Sequence, residues 1–143
     1  MQKLRVVKRL MWVTDLGFLA YWVVTALGLI SVGSDEFLQQ WNWSFLGLDA
    51  AAIGLGLAGL ALGRRSALSI PLIIVSLSLT SAAGLMALNF YVIRGEYSLM
   101  WWIPNLWLFL FPVVALAGIV RAWSEIGTRS SNAAHRVGCP PTV

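Results

Sequence analysis

The chain has 143 residues, 59% of them hydrophobic and 11% charged, with a net charge of +4, against roughly 45–50% apolar and about 25% charged in an average soluble domain. A water-soluble fold does not fit that balance. Nucleic acid does not fit as a partner either, because the basic residues stand in small groups beside apolar runs and no soluble domain exists to carry a binding groove. The lipid bilayer is the partner that both the charge and the hydropathy suit.

One histidine and one cysteine leave no residues for the usual nucleophilic triads, for a multi-histidine metal site or for an intrachain disulfide. No cofactor and no metal are expected.

Lys3, Arg5, Lys8 and Arg9 precede a first apolar run, Leu10–Ile30. Its length and its lack of strict alternation point to a helix that crosses the membrane, which takes about 20 residues. Asp15 interrupts the run and argues against a cleaved signal peptide. With Trp22 and Thr25 it shares one helical face. Two readings of Asp15 stand: pairing with Lys8, Arg9 or Arg64 at the cytoplasmic interface, or a proton or cation relay.

An outer loop, Ser31–Ser44, follows with Asp35 and Glu36, and a second span is expected over Phe45–Gly63. Gly54, Gly56 and Gly59 match the G-x-G-x-x-G spacing, but no strand, turn and βαβ unit surround them. They suit a helix whose small residues admit a close neighbour. Steps of three and four join Asp49, Ala52, Gly56, Gly59 and Gly63 into one stripe. Asp49 heads that stripe and should point inward, near the outer face and far from Asp15.

Arg64 and Arg65 lead to a third span, Ile70–Ile93, with Pro71 in its first turn. Asn89, Tyr91, Arg94 and Glu96 gather at its outer end, and an Asp49–Arg94 ion pair is one expected contact. The fourth span, Trp101–Val120, carries Asn105. Pro104 suits its start, and Pro112 removes the hydrogen bond to the carbonyl of Leu108, so a kink is expected there. Residues 124–143 are polar and proline-bearing and read as a disordered cytoplasmic tail.

These elements compose an all-α polytopic membrane protein: one four-transmembrane-helix bundle over residues 1–123, with helices at about 10–30, 45–63, 70–93 and 101–120. Nine of the ten basic residues then fall on one side and Arg94 on the other, which places both termini in the cytoplasm.

Three segments, "VTDLGFLAYW" (Val13–Trp22), "WNWSFLGLD" (Trp41–Asp49) and "RGEYSLMWWIPNLWL" (Arg94–Leu108), resemble the recurring motifs of the YvaD-like family of small bacterial membrane proteins of unknown function. The resemblance implies a four-helix protein of the bacterial inner membrane and gives no activity.

For function, the first expectation is a non-enzymatic protein that binds a small amphiphilic or lipid-like molecule in an outward-facing pocket. Asp49 would anchor it, with Arg94, Asn89 and Asn105 as polar contacts and Trp41, Trp43, Trp101 and Trp102 around the mouth. One alternative is a subunit of a homo-oligomeric transporter or channel that uses Asp15. Another is an accessory or immunity-type protein packing against a larger membrane partner through Gly56, Gly59 and Gly63. A further alternative is that the polar residues only fix helix packing.

Overall fold

A computed structural model describes residues 2–30, 35–63 and 66–137, and every regular element among them is helical. In chain order these are α1 (Gln2–Ala26), α2 (Glu36–Ser44), α3 (Leu46–Leu62), α4 (Ser69–Arg94) and α5 (Leu99–Val137). Phe45, between α2 and α3, keeps right-handed angles (φ −79°, ψ −17°), so the two run on as one 27-residue rod, Glu36–Leu62. The protein is therefore an all-α bundle of four long rods.

Three rods, Glu36–Leu62, Ser69–Arg94 and Leu99–Glu125, are long and apolar enough to cross a membrane. α1 has the length, 25 residues, or about 37 Å at 1.5 Å per residue. Its charges at Arg5, Lys8, Arg9 and Asp15 keep it out of that apolar class.

Two helices close through a glycine with paired backbone bonds. α1 stops at Ala26, short of the Ile30 expected from hydropathy, because Gly28 turns to φ 70°. Gly28 N–H donates to Thr25 O and Leu29 N–H to Val24 O, the paired bonds that close a helix through a left-handed residue. Gly95 (φ 66°) ends α4 in the same way, its own N–H and that of Glu96 reaching Val92 O and Tyr91 O.

Further boundaries differ from the sequence expectation: α1 starts at Gln2 rather than at residue 10. Residues 36–44, expected as loop, are helix α2: Asp35 accepts from Phe37 N–H at 3.1 Å, and Gln40 Nε2 donates to Glu36 Oε1. α5 starts at Leu99, before Pro104, and stays helical through both prolines. It also continues to Val137, where a disordered tail was expected from residue 124. No proline interrupts the chain between Pro112 and Pro140, and Ser124 and Thr128 bond back onto helix carbonyls. The rest of the expected tail, 138–143, lies outside the described residues, as do Arg64, Arg65 and residues 31–34 of the outer loop.

α4 is the centre of the bundle, packed on α3 and on α5, while α1 lies against α3. In lipid such packing rests on close approach and on polar contacts rather than on escape from water. Ser69 Oγ donates to Gly59 O at 2.7 Å and Ser76 Oγ to Ala52 O at 2.8 Å, tying α4 to α3. At Gly84 the helix lies against the backbone of α5 around Asn105, Leu108 and Phe109.

The apolar core formed by Met11, Ile73, Leu77, Ala115 and Ile119 occupies the end of the bundle near Arg9 and Arg121. The opposite half is built differently.

Candidate functional site

The α1–α3 seam carries both aspartates of the spans. Asp15 packs at Gly56 and Trp22 at Asp49, so two contacts seven positions apart on each antiparallel helix share one register. That spacing is two helical turns, about 10 Å. The carboxyls are thus nearer than the opposite-face placement expected from sequence, yet too far apart to act as a joined acid–base pair.

At the upper contact, Trp22 Nε1 donates to Asp49 Oδ2 at 3.0 Å. Asp49 is only 5% exposed, and its Oδ1 has no hydrogen-bond partner. A buried, unmatched carboxyl oxygen costs on the order of 1–3 kcal/mol. Arg94 does not supply the partner: its Nε donates to Glu96 Oε1 at 2.7 Å, and its guanidinium lies over the Phe90 ring. The Arg94–Glu96 pair is local, two residues apart and half-exposed, because Gly95 folds Glu96 back toward the helix end.

At the lower contact, Asp15 is 4% exposed and its Oδ2 also has no hydrogen-bond partner. No ion pair joins it to Lys8 or Arg9, and Arg64 lies outside the described residues. A Cβ on Gly56 would stand 2.5 Å from Asp15 Oδ2 and 2.7 Å from Ser76 Oγ. Gly56 is therefore the space that lets α1 and α4 both meet α3.

Gly59 is filled in the same way by Ile73 and the Ser69 carbonyl, whereas Gly63 (φ 59°) ends α3 with open space around it. Gly56 and Gly59 are occupied by this chain's own helices and present no face to another subunit. That removes the structural motive for an accessory protein docking through them.

Above the apolar core, a cavity of about 620 Å³ opens between α1 and α5, with α2, α3 and α4 behind it. It reaches from Val13 and Thr14 up to Trp101. Its foot is marked by Trp107 Nε1, which donates to Thr14 Oγ1 at 3.1 Å across the two helices. Of the expected ligand contacts, Asp49, Asn105, Trp41 and Trp101 line it.

Asn89, Arg94, Trp43 and Trp102 do not. Asn89 is exposed on α4. Trp43 leans on Trp22, and Trp102 stacks on Tyr97 while donating to Glu96 O.

Of the lining groups, Tyr21 and Phe45 were not singled out from sequence, whereas Tyr91 was placed in the outer cluster of the third span. Tyr21 OH donates to Asn42 Oδ1 at 2.8 Å, joining α1 to α2 within the wall. Tyr91 contributes its ring beside Trp41, which stacks on Phe90 with ring centroids 3.8 Å apart. Signals for them existed in the helical steps from Asp49 to Phe45 and Asn42, and from Thr14 through Gly17 to Tyr21. The neighbour relation of α1 to α2 was needed to read those signals. Asn105 uses one N–H of its Nδ2 on Trp101 O at 2.7 Å, which leaves its carbonyl oxygen and its second N–H for other partners.

Comparison with known proteins gives a family and no activity. No solved structure matches the chain. The protein resembles a Bacillus subtilis (strain 168) protein described as "Uncharacterized protein YvaD", 34% identical over 117 residues, covering 77% of this chain and 88% of that one. The profile of a family of unknown function, DUF5360, matches residues 7–125, the stretch that holds both aspartates and every wall of the cavity, and the chain belongs to that family.

Proposed function

We propose that this protein is a non-enzymatic binder of a small amphiphile, held in the cavity between α1 and α5 with its polar group at Asp49. The observation that carries this is Asp49 itself, a buried carboxyl on the wall of a 620 Å³ space with one oxygen fixed by Trp22 and the other without a partner. Ligand pockets are commonly about 300–1,000 Å³, mostly apolar, with a few convergent polar groups. Tyr21, Asn42 and Asn105 supply the other polar edges, and the rest of the wall suits an alkyl or ring body. In this reading the protein sits in the bacterial inner membrane with both termini in the cytoplasm, so the Trp101 end of the cavity faces outward.

The test uses decanol as probe and the melting temperature of the protein in nonionic maltoside micelles as readout. Ala87 lines the cavity and is 7% exposed, so Ala87→Phe fills the space from behind. Decanol should raise the wild-type melting temperature and leave that of Ala87→Phe unchanged. An equal rise in both would place the probe elsewhere and refute the cavity as its site.

A further inference from the structure

The cavity wall has a chemical bias that points to one class of occupant. Its polar groups include one carboxyl, and no lysine or arginine lines it among the described residues. Arg94, the partner expected for Asp49 from sequence, is engaged with Glu96. Aromatic rings dominate the remainder: Tyr21, Trp41, Phe45, Tyr91, Trp101 and Trp107 all border the space. The negative faces of such rings attract organic cations, and aromatic cages are a recurring means of recognising ammonium groups. Asp49 Oδ1 adds an acceptor that a protonated amine can fill with both charge and hydrogen bond.

The position of the opening indicates where the occupant comes from. Its rim is formed by Val13 and Gly17 on α1 and by Ile103 and Trp107 on α5, all exposed, with Val13 at 69% and Ile103 at 63%. These positions lie on helices rather than in loops. α1 and α5 share the core at the Arg9 end and the Trp107–Thr14 bond, but they do not pack along their upper lengths. The mouth therefore faces lipid chains.

We infer that the ligand is a single-chain amphiphile bearing a protonated amine, which passes sideways from the surrounding leaflet between α1 and α5 and sets its ammonium against Asp49. This rests on the cavity-binding reading above and narrows it to one ligand class and one route. The alkyl chain lies along Val13, Gly17 and Ile103, and the aromatic rings surround the head. An alcohol of equal length offers a hydrogen bond to Asp49 but no charge.

Decylammonium and decanol separate these contributions. Both are titrated at pH 7 against the purified full-length protein in nonionic maltoside micelles, with tryptophan fluorescence as readout, since Trp41, Trp101 and Trp107 line the site. Decylammonium should bind wild type about tenfold or more tightly than decanol does, the scale of adding charge to a hydrogen bond. Asp49→Asn keeps an acceptor for Trp22, and it should abolish that preference by weakening decylammonium far more than decanol. Equal affinity for the two probes in wild type, or an ammonium preference that survives Asp49→Asn, overturns the cation assignment and leaves the cavity reading intact. Loss of Ala87→Phe sensitivity for both probes instead overturns the cavity reading.

The route has its own variant. A side chain at Gly17 meets nothing within 4 Å, so Gly17→Trp adds bulk at the mouth without a clash inside the bundle. Decylammonium association should slow about tenfold in Gly17→Trp while the melting temperature of the free protein holds. An unchanged association rate overturns the lateral route.

Discussion

Substitution of Gly84 by alanine tests the closest approach of a glycine to the backbone of another helix in the bundle. A methyl carbon there would lie 2.7 Å from Phe109 N, 2.8 Å from Asn105 O and 2.9 Å from the carbonyl carbon of Leu108. All three are backbone atoms, so no rotamer change relieves the clash. Ordinary contact begins near 3.4 Å, and the shortest distance must grow by about 0.7 Å. A gap of that size forfeits a quarter to a half of the dispersion attraction for the atoms it separates. The cost should fall in the upper part of the overpacking range, about 2–3 kcal/mol.

Separation at Gly84 also moves α5 at Asn105 and Phe109, where Ser81 Oγ already reaches Phe109 O only at 3.4 Å. The assay is reversible unfolding in mixed micelles, followed by helical circular dichroism. Gly54→Ala and Gly118→Ala are the controls, because a methyl at either meets nothing within 4 Å. Each control should change stability by less than about 1 kcal/mol. If Gly84→Ala unfolds within about 0.5 kcal/mol of Gly54→Ala, the close α4–α5 crossing is refuted.

Two further outcomes are expected. Gly56→Ala should destabilise the bundle strongly in wild type and less in an Asp15→Ala background, with a coupling of about 1 kcal/mol or more in the double-mutant cycle; additive effects would mean that Asp15 does not occupy the Gly56 space. On the proposed orientation, a maleimide that cannot cross membranes should label Cys139, the one cysteine of the chain, in inverted vesicles and not in intact spheroplasts. Labelling of intact spheroplasts would reverse the orientation.

Hydropathy located the long rods because a helix that crosses lipid must satisfy its backbone internally and stay apolar for most of its length. It missed α2 because Asp35, Glu36, Gln39 and Gln40 lower the local hydropathy, although the same residues include the Asp35 cap and the Glu36–Gln40 pair that stabilise the helix. The continuation of α5 beyond residue 124 was hidden for a related reason: polar composition resembles a tail, while backbone bonding depends on the absence of proline. The inward stripe from Asp49 to Gly59 could be read from spacing alone. The partner of Asp49 could not, since periodicity says which face a residue occupies and nothing about which helix lies opposite. Arg94 was a reasonable electrostatic partner for Asp49, but Glu96 lies two residues away across a glycine turn. A local partner of that kind needs less ordering of the chain than one on another helix.

The shared register of Asp15 with Gly56 and Trp22 with Asp49 has a consequence for how α1 finds its place. Leucine and valine surfaces in lipid slide past one another with little penalty, because every alternative alignment is about equally apolar. Two keyed positions two turns apart remove that freedom. One residue inserted between Asp15 and Trp22 would swing one key by about 100° while the other stayed seated, and no intermediate alignment would engage both. α1 therefore docks as an all-or-none part, and since it forms one whole side of the cavity, the cavity exists only in the keyed alignment.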